Sequence, residues 1–160
     1  MKKFFFLIFL LWSSAEALEI QCKFEEVYSD GSTQQGHLLI KNKKLRYEYN
    51  KRELFTIFRD SSDYFIVANY DKKNFRRIKE QNIVLSKIVQ LIDKYPNLKN
   101  TYEEDSIKLL LEKSDISGFY KRISIQSSEV NLSIFFNDCN YSSINDEFLK
   151  YNPLVEYNYK

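Results

Sequence analysis

The sequence contains few of the residues from which catalytic and phosphate-binding sites are built. Its 160 residues include three glycines, two prolines, two cysteines and one histidine. So few glycines argue against phosphate-cradling loops, and no dinucleotide-binding, Walker or nucleophile-elbow pattern occurs. One histidine and two cysteines are too few for a typical metal site. We therefore expect no enzyme activity, no cofactor and no metal, and we assign no catalytic residue.

The remaining candidates for acid–base chemistry are weak. His37 is followed by Leu38 and Leu39 in a predicted strand, which is typical of a structural histidine. Glu25 and Glu26 are neighbours in sequence, and we expect both to be solvated. The charges are balanced as well, with 24 basic and 22 acidic residues. No strong electrostatic field follows, so nucleic acid is not an expected partner.

The first 17 residues have the layout of a secretory signal. Two lysines precede an apolar run from Phe4 to Trp12, and small residues with an A-x-A pattern end at Ala17. The run is shorter than the roughly 20 residues that a membrane-spanning helix needs. We predict cleavage after Ala17, with residues 1–17 as signal peptide and residues 18–160 as one domain. A buried N-terminal helix and an uncleaved anchor are the alternatives.

The two cysteines are predicted to form a disulfide. Cys22 lies in the first predicted strand and Cys139 near the end of the last long one. Paired cysteines are usual in the oxidising compartment that a secretory signal implies. The alternatives are two buried free thiols and lipidation of Cys22, although Gln21 is a poor residue to precede a lipidated cysteine.

Runs of aromatic and β-branched residues, separated by polar turns, predict a mainly β fold of about eight or nine antiparallel strands. Residues 142–150 are predicted to form a short turn or helix. The predicted strands cover residues 20–28, 35–41, 45–49, 54–58, 64–68, 75–79, 107–112, 119–126 and 130–141.

One helix is predicted over residues 82–95. Asn82 is a suitable N-cap and Pro96 ends the helix. The helix is unusually apolar, so it must cover another apolar surface. Its predicted stripe consists of Val84, Ile88, Leu91, Ile92 and Tyr95.

Several predicted strands are apolar on both faces. Residues 54–58, 64–67 and 109–111 show this pattern, whereas residues 45–49 alternate between apolar and charged side chains. An open antiparallel sheet usually needs only one apolar face. The pattern fits either a sheet packed on both sides or a sheet that lines an apolar cavity, and the sequence leaves both open.

Three segments in order are similar to the periplasmic outer-membrane lipoprotein carrier family, LolA. Residues 36–49 resemble a glycine-led strand, a basic turn and a following aromatic strand. Residues 54–71 resemble two strands around a polar turn, followed by a Tyr-Asp turn. Residues 123–153 resemble the last hairpin, a turn with a phenylalanine and a closing proline, Pro153. The family's helix before the first strand is missing here.

The resemblance implies a periplasmic carrier with a curved, incompletely closed antiparallel barrel and a helical lid. Acyl chains of a lipoprotein or another lipid would bind between sheet and lid, and membrane-bound donor and acceptor proteins would be partners of a monomer. Lys41 occupies the turn position where the family often has arginine. The candidate cavity residues are Leu38, Ile40, Leu45, Tyr47, Tyr49, Phe55, Ile57, Phe65, Val67, Val84, Ile88, Leu91 and Ile92.

The alternative is a non-catalytic interaction or structural module of the cell envelope. It would have the same fold with a filled core, and the missing N-terminal helix favours it.

Overall fold

A computed structural model gives the fold of residues 19–60, 63–71, 73–78, 90–91, 94, 99–104, 106–128 and 130–152. The described chain forms ten strands and a 3₁₀ helix at Asp146–Leu149. The strands are β1 Glu19–Tyr28, β2 Thr33–Lys41, β3 Lys44–Tyr49, β4 Phe55–Asp60, β5 Asp63–Ala68, β6 Phe75–Ile78, β7 Thr101–Glu104, β8 Ile107–Lys113, β9 Tyr120–Gln126 and β10 Asn131–Asn140.

All ten strands belong to one antiparallel sheet in the order β6-β5-β4-β3-β2-β1-β10-β9-β8-β7. Two meanders, β1 to β6 and β7 to β10, are therefore joined side by side through the pair β1–β10. Within the described residues the sheet is not closed, and β6 and β7 are its two edges. The predicted mainly β fold with an unclosed antiparallel sheet is confirmed.

One face of the sheet, which we call the inner face, carries the main hydrophobic core. In β1 it holds the even-numbered residues, beginning with Ile20, Cys22 and Phe24, and the register carries this alternation through the neighbouring strands. Burying each large apolar side chain contributes about 1.5–3 kcal/mol, so this face supplies most of the stabilisation. Its fully buried members include Leu38, Ile40, Tyr120, Ile123, Ile125 and Ile134.

The opposite, outer face is covered over β2 to β4 by the C-terminal residues 144–152. Ile144 and Leu149 pack on Leu39 of β2 and form a second, smaller core. The backbone N–H of Ile144 donates to the Glu19 carboxylate over 3.1 Å. The predicted short helix in residues 142–150 is confirmed as the 3₁₀ helix, which Asn145 caps by accepting from the Glu147 N–H.

One prediction about the elements needs correction, and others fall on residues outside the described part of the chain. The strand count is ten rather than eight or nine, because Thr101–Glu104 pairs with β8 as an edge strand. Most of the helix predicted over residues 82–95 lies outside the described residues, as do Pro96, Pro153 and the predicted signal in residues 1–17. Within the described part, Gln90 and Leu91 are helical, and the Lys94 N–H donates to the Gln90 carbonyl over 3.2 Å.

The connection between β6 and β7 links the two opposite edges of the sheet. It comprises the 22 residues 79–100. Leu91 is 3% exposed and belongs to the core cluster of the inner face. The Lys94 ammonium lies 5.7 Å from the centre of the Tyr102 ring on β7. Leu91 of this connection therefore packs against the inner face, and Lys94 lies beside β7.

A disulfide links the two central strands. Cys22 of β1 is bonded to Cys139 of β10, with 4.1 Å between their Cα atoms. The pairing register shifts between Gln21 and Lys23, so residues 138 and 139 together face Cys22, as in a β-bulge. Asp138 has a φ of 51° at this point, and its carboxylate pairs with Lys23 over 2.8 Å. The pairing predicted from the sequence is thus present.

We predict that removing this disulfide lowers the free energy of unfolding by up to about 4–5 kcal/mol. The bond spans 117 residues, and cross-linking so long a loop removes much chain entropy from the unfolded state. Urea unfolding of the double variant Cys22→Ala/Cys139→Ala measures the loss. Dithiothreitol should destabilise the wild-type protein similarly and leave the double variant unaffected. Equal stability of the variant and the oxidised wild-type protein would contradict the prediction.

We also predict that Gly36→Ala destabilises the protein by about 3 kcal/mol. An added Cβ at Gly36 would collide with the Glu48 carbonyl oxygen and with the Phe24 ring, and overpacking of this kind is costly. Gly31→Ala is the matched control, since its Cβ meets open space and only its φ of +82° is unfavourable. We expect about 1 kcal/mol there. Thermal or urea unfolding checks both, and a smaller loss at Gly36 than at Gly31 would overturn the steric argument.

Candidate functional site

The structure divides the predicted cavity residues between the two faces of the sheet. Phe65 and Val67 lie apart from the others. Ile66 pairs with Ile57 on the inner face, so its two neighbours along β5, Phe65 and Val67, point to the outer face. Val67 lies on the outer face near Arg46 and Phe58. Val84, Ile88 and Ile92 lie outside the described residues. The inner face holds Leu38, Ile40, Leu45, Tyr47, Tyr49, Phe55, Ile57 and Leu91.

A carboxyl group is buried on the inner face among these residues. Glu26 of β1 is 4% exposed, and its carboxyl oxygens accept hydrogen bonds from three tyrosine hydroxyls. Tyr28 donates over 2.6 Å and Tyr47 over 2.8 Å, while Tyr49 lies 3.0 Å from both oxygens. No described residue forms an ion pair with Glu26. The expectation that Glu26 is solvated was wrong. We call Glu26 and the three tyrosines the carboxyl–tyrosine cluster.

The cluster forms because Gly36 has no side chain. In the register, Gly36 of β2 lies between Phe24 of β1 and Tyr49 of β3. The missing side chain leaves a gap over β2, where the rings of Phe24 and Tyr47 stack with their centres 3.9 Å apart. Tyr49 meets both rings edge-on at 5.5 Å. The tyrosine hydroxyls of β3 can then reach the Glu26 carboxyl group on β1 across the same gap.

The surroundings hold the three phenols in their neutral form. Burial raises the pKa of Tyr47 well above its ordinary value, and the nearby Glu26 charge raises it further. Burial and Glu26 likewise raise the pKa of Tyr49 and the pKa of Tyr28. All three hydroxyls therefore remain donors at physiological pH. Hydrogen bonds to a charged group contribute about 1.5–3 kcal/mol each, which offsets part of the cost of burying the carboxylate.

Alternation along β1 contains the signal that identifies Glu26. Ile20, Cys22 and Phe24 are apolar and share one face, so the next residue of the same parity must lie on that face too. Glu25 has the opposite parity and accepts from the exposed Gln35 amide over 3.1 Å on the outer face. Treating the two glutamates as one charged pair conceals this difference.

A buried arginine occupies the outer face of β3. Arg46 is 3% exposed, pairs with the Glu48 carboxylate over 2.7 Å and donates to the Phe148 carbonyl over 3.2 Å. Its guanidinium lies 5.2 Å from the centre of the Phe58 ring. The pocket beside it measures about 50 Å³, well below the roughly 300 Å³ of a small-molecule site. Arg46 therefore acts as an anchor for the C-terminal segment.

Lys41, the predicted basic turn position, is a second anchor for the same segment. Its ammonium pairs with Asp146 over 3.0 Å and with Glu19 over 3.4 Å. It also donates to the Ile144 carbonyl over 2.9 Å. The hydrogen bond to Asp146 raises the pKa of Lys41. These contacts engage Lys41 within the chain itself.

The single histidine lies on the outer face of β2. His37 is half-buried, and this burial lowers its pKa. Among the described residues, no group of three or more histidine, cysteine, aspartate or glutamate side chains is arranged to hold a metal ion. The same part of the chain contains no helix long and apolar enough to cross a membrane.

Comparison with known proteins adds no family assignment. The sequence matches no family model, and it is not significantly similar to any curated protein.

We predict that the tyrosines of the cluster ionise only when the protein unfolds. Since their pKa values are raised in the folded state, the stability they contribute is complete below pH 10 and is lost as the pH rises above it. In a spectrophotometric titration at alkaline pH, the native protein should show at least three fewer ionised tyrosines than the denatured protein.

Two variants test which tyrosines stay un-ionised in the native protein. Tyr49→Phe should reduce the difference between native and denatured protein by one tyrosine. Tyr141→Phe, at an exposed position, should leave this difference unchanged. A native titration that coincides with that of the denatured protein would contradict the buried arrangement.

Proposed function

We propose that the protein is a periplasmic carrier that binds the acyl chains of a lipoprotein or another lipid against the inner face of its sheet. The observation that carries this proposal is the burial of Leu91 in the apolar cluster of the inner face. Leu91 belongs to the connection, residues 79–100, that joins the two opposite edges of an unclosed sheet. An apolar connection over a broad apolar face is the arrangement that a lidded carrier requires.

The length of this connection supports a rolled sheet. Ten strands at about 4.8 Å spacing give a flat sheet about 43 Å wide. The helix predicted over residues 82–95 would be about 21 Å long, and the other eight residues of the connection reach about 26 Å when extended. The total barely exceeds the flat width, so it leaves no extra length for passing above the side chains. A sheet that curves towards its own edges shortens the distance that the connection must span.

The resemblance to the lipoprotein carrier family supports the same proposal. An unclosed antiparallel sheet is what that resemblance implies, and the described strands have this architecture. A disulfide such as Cys22–Cys139 persists in oxidising compartments, which fits the periplasm. Burying an acyl chain contributes about 0.8 kcal/mol for each CH₂ group, so an apolar face is sufficient for affinity. Membrane-bound donor and acceptor proteins complete the proposed cycle.

Binding in this manner requires the cover of the inner face to move. Leu38, Ile40 and Leu45 are at most 2% exposed, so an acyl chain reaches them only after a group packed on the inner face, such as Leu91, moves aside. The connection is then a lid whose opening cost is offset by the acyl groups that replace it. Such an exchange would also permit release, because the lid competes with the ligand for one surface.

A packed envelope module is the second candidate function. The observation in its favour is that the aromatic rings of the inner face pack on one another, with Tyr49 meeting Phe55 edge-on at 5.1 Å as well as contacting Phe24 and Tyr47. In that case the inner face is a filled core, and a partner would bind an edge of the sheet. Ligand binding separates the two candidates.

We predict that a neutral brominated acyl glycerol quenches a tryptophan placed on the inner face. The domain 18–160 has no tryptophan, since the only one is Trp12. Ile66→Trp introduces one on the inner face, and Phe65→Trp introduces one on the outer face of the same strand. Both native side chains are half-buried, so the two variants are matched. Saturable quenching of Ile66→Trp alone is the expected result.

Two outcomes would contradict the carrier proposal. The first is no saturable quenching in a variant whose circular dichroism shows it to be folded. The second is equal quenching in both variants, which would indicate binding without preference for the inner face.

A further inference from the structure

The carboxyl–tyrosine cluster lacks a positive charge. Glu26 is 4% exposed, and no lysine, arginine or histidine of the described chain pairs with it. An isolated buried carboxylate costs several kcal/mol, which hydrogen bonds repay only in part. Tyr28, Tyr47 and Tyr49 already direct their hydroxyl protons at this group. The carboxyl group therefore has three neutral hydroxyl donors, and no described cation pairs with it.

A buried acceptor without a donor lies on the neighbouring strand β2. The Oε1 atom of Gln34 is buried and accepts no hydrogen bond. Gln34 is the direct partner of Glu26 in the β1–β2 register, and such pairs have Cβ atoms about 4.5–5.5 Å apart on one face of the sheet. Glu26, which no described cation pairs with, and the Gln34 amide oxygen, which has no donor, therefore occupy paired positions of neighbouring strands on the inner face.

These observations identify the missing group by its chemistry. We infer that Glu26 and Gln34 form a binding site for a protonated primary amine at the polar end of the carried ligand. An ammonium group supplies three N–H donors and a positive charge. The rings of Phe24, Tyr47 and Tyr49 around the carboxyl group suit a cation, because aromatic faces attract positive charge. An anionic headgroup would be repelled by Glu26.

The position of the site agrees with a ligand that enters end-on. Tyr28 ends β1, Tyr49 ends β3 and Phe55 begins β4, so all three lie at one end of the sheet. All three are half-buried, whereas Ile20, Ile40 and Leu45 at the other end are fully buried. The amine would remain near this rim while the acyl chain lies along the inner face. This inference rests on the proposed carrier function and specifies the headgroup of its ligand.

Competition among three twelve-carbon ligands tests the inference. Dodecylamine, dodecanol and dodecanoate are used below their aggregation concentrations to displace the neutral brominated acyl glycerol from the Ile66→Trp variant at pH 7. We expect the amine to bind at least tenfold more tightly than the alcohol, and the carboxylate to bind most weakly. The domain 18–160 has a formal charge near +1, with 22 basic and 21 acidic residues, so general attraction cannot favour the amine.

Two further variants, made in the same background, assign the preference to one carboxyl group. Glu26→Gln should abolish the tenfold preference for the amine over the alcohol. Glu25→Gln removes a carboxylate from the outer face of the same strand and should retain the preference. Since the amine-to-alcohol ratio is measured with Glu26 intact, a folding defect in Glu26→Gln does not remove the test.

The outcomes separate this inference from the proposed function. Equal binding of amine and alcohol, or an unchanged preference in folded Glu26→Gln, would overturn the amine site and leave the carrier function standing. If none of the ligands, including the brominated acyl glycerol, bound the folded protein, the carrier function and the amine site would both be rejected.

Discussion

Strand β1 pairs with β10 across more than a hundred residues of sequence, and the rest of the structure depends on that pairing. Without it the chain would form two separate meanders, each with an apolar face too small to bury itself. Bringing such distant segments together costs loop-closure entropy. The Cys22–Cys139 disulfide reduces this cost at the centre of the sheet. The bulge opposite Cys22 lets β10 present Cys139 to its partner while pairing continues on both sides.

The same strand sets the character of the inner face. Each even residue of β1 from Ile20 to Tyr28 projects into it, and four of these five side chains are apolar or aromatic. The fifth, Glu26, requires donors that a β-sheet core does not ordinarily contain. Gly36 makes them available, since the gap that it leaves over β2 brings β3 tyrosines within hydrogen-bond distance. One residue without a side chain therefore determines whether the buried carboxyl group is tolerated.

Runs of aromatic and β-branched residues between polar turns predict nine of the ten strands, because such runs are a strong local signal. It fails for β7, whose four residues Thr101–Glu104 include two acids and only one large apolar side chain, Tyr102. An edge strand needs little apolar character, since only one neighbour pairs with it. The site is less predictable from sequence: parity alone places Glu26 inside, but the tyrosines that stabilise it come from the register of β3, which is a tertiary feature.

Some strands are apolar on both faces, and the apolar residues of the outer face are explained differently from those of the inner face. On the outer face, the apolar residues of β2 and β4 are covered by the chain's own residues 144–152, with Leu39 under Ile144 and Leu149. Arg46 and Lys41 fasten this cover through backbone carbonyls and carboxylates. That side requires no ligand, and its pattern would be the same in a protein that binds nothing.

On the inner face, the described part of the connection between β6 and β7 contributes Leu91 to the apolar cluster and places the Lys94 ammonium near the Tyr102 ring. Close to β7 the same connection is held by polar bonds, because the Leu111 N–H donates to the Asn100 carbonyl over 2.8 Å and the Lys99 N–H donates to the Tyr102 hydroxyl over 3.0 Å. At Leu91 the contact with the inner face is apolar, whereas Lys41 and Arg46 fasten the outer cover through polar bonds. An acyl chain can replace an apolar contact without leaving polar groups unpaired, so in the proposed carrier Leu91 is the described contact that the ligand would displace.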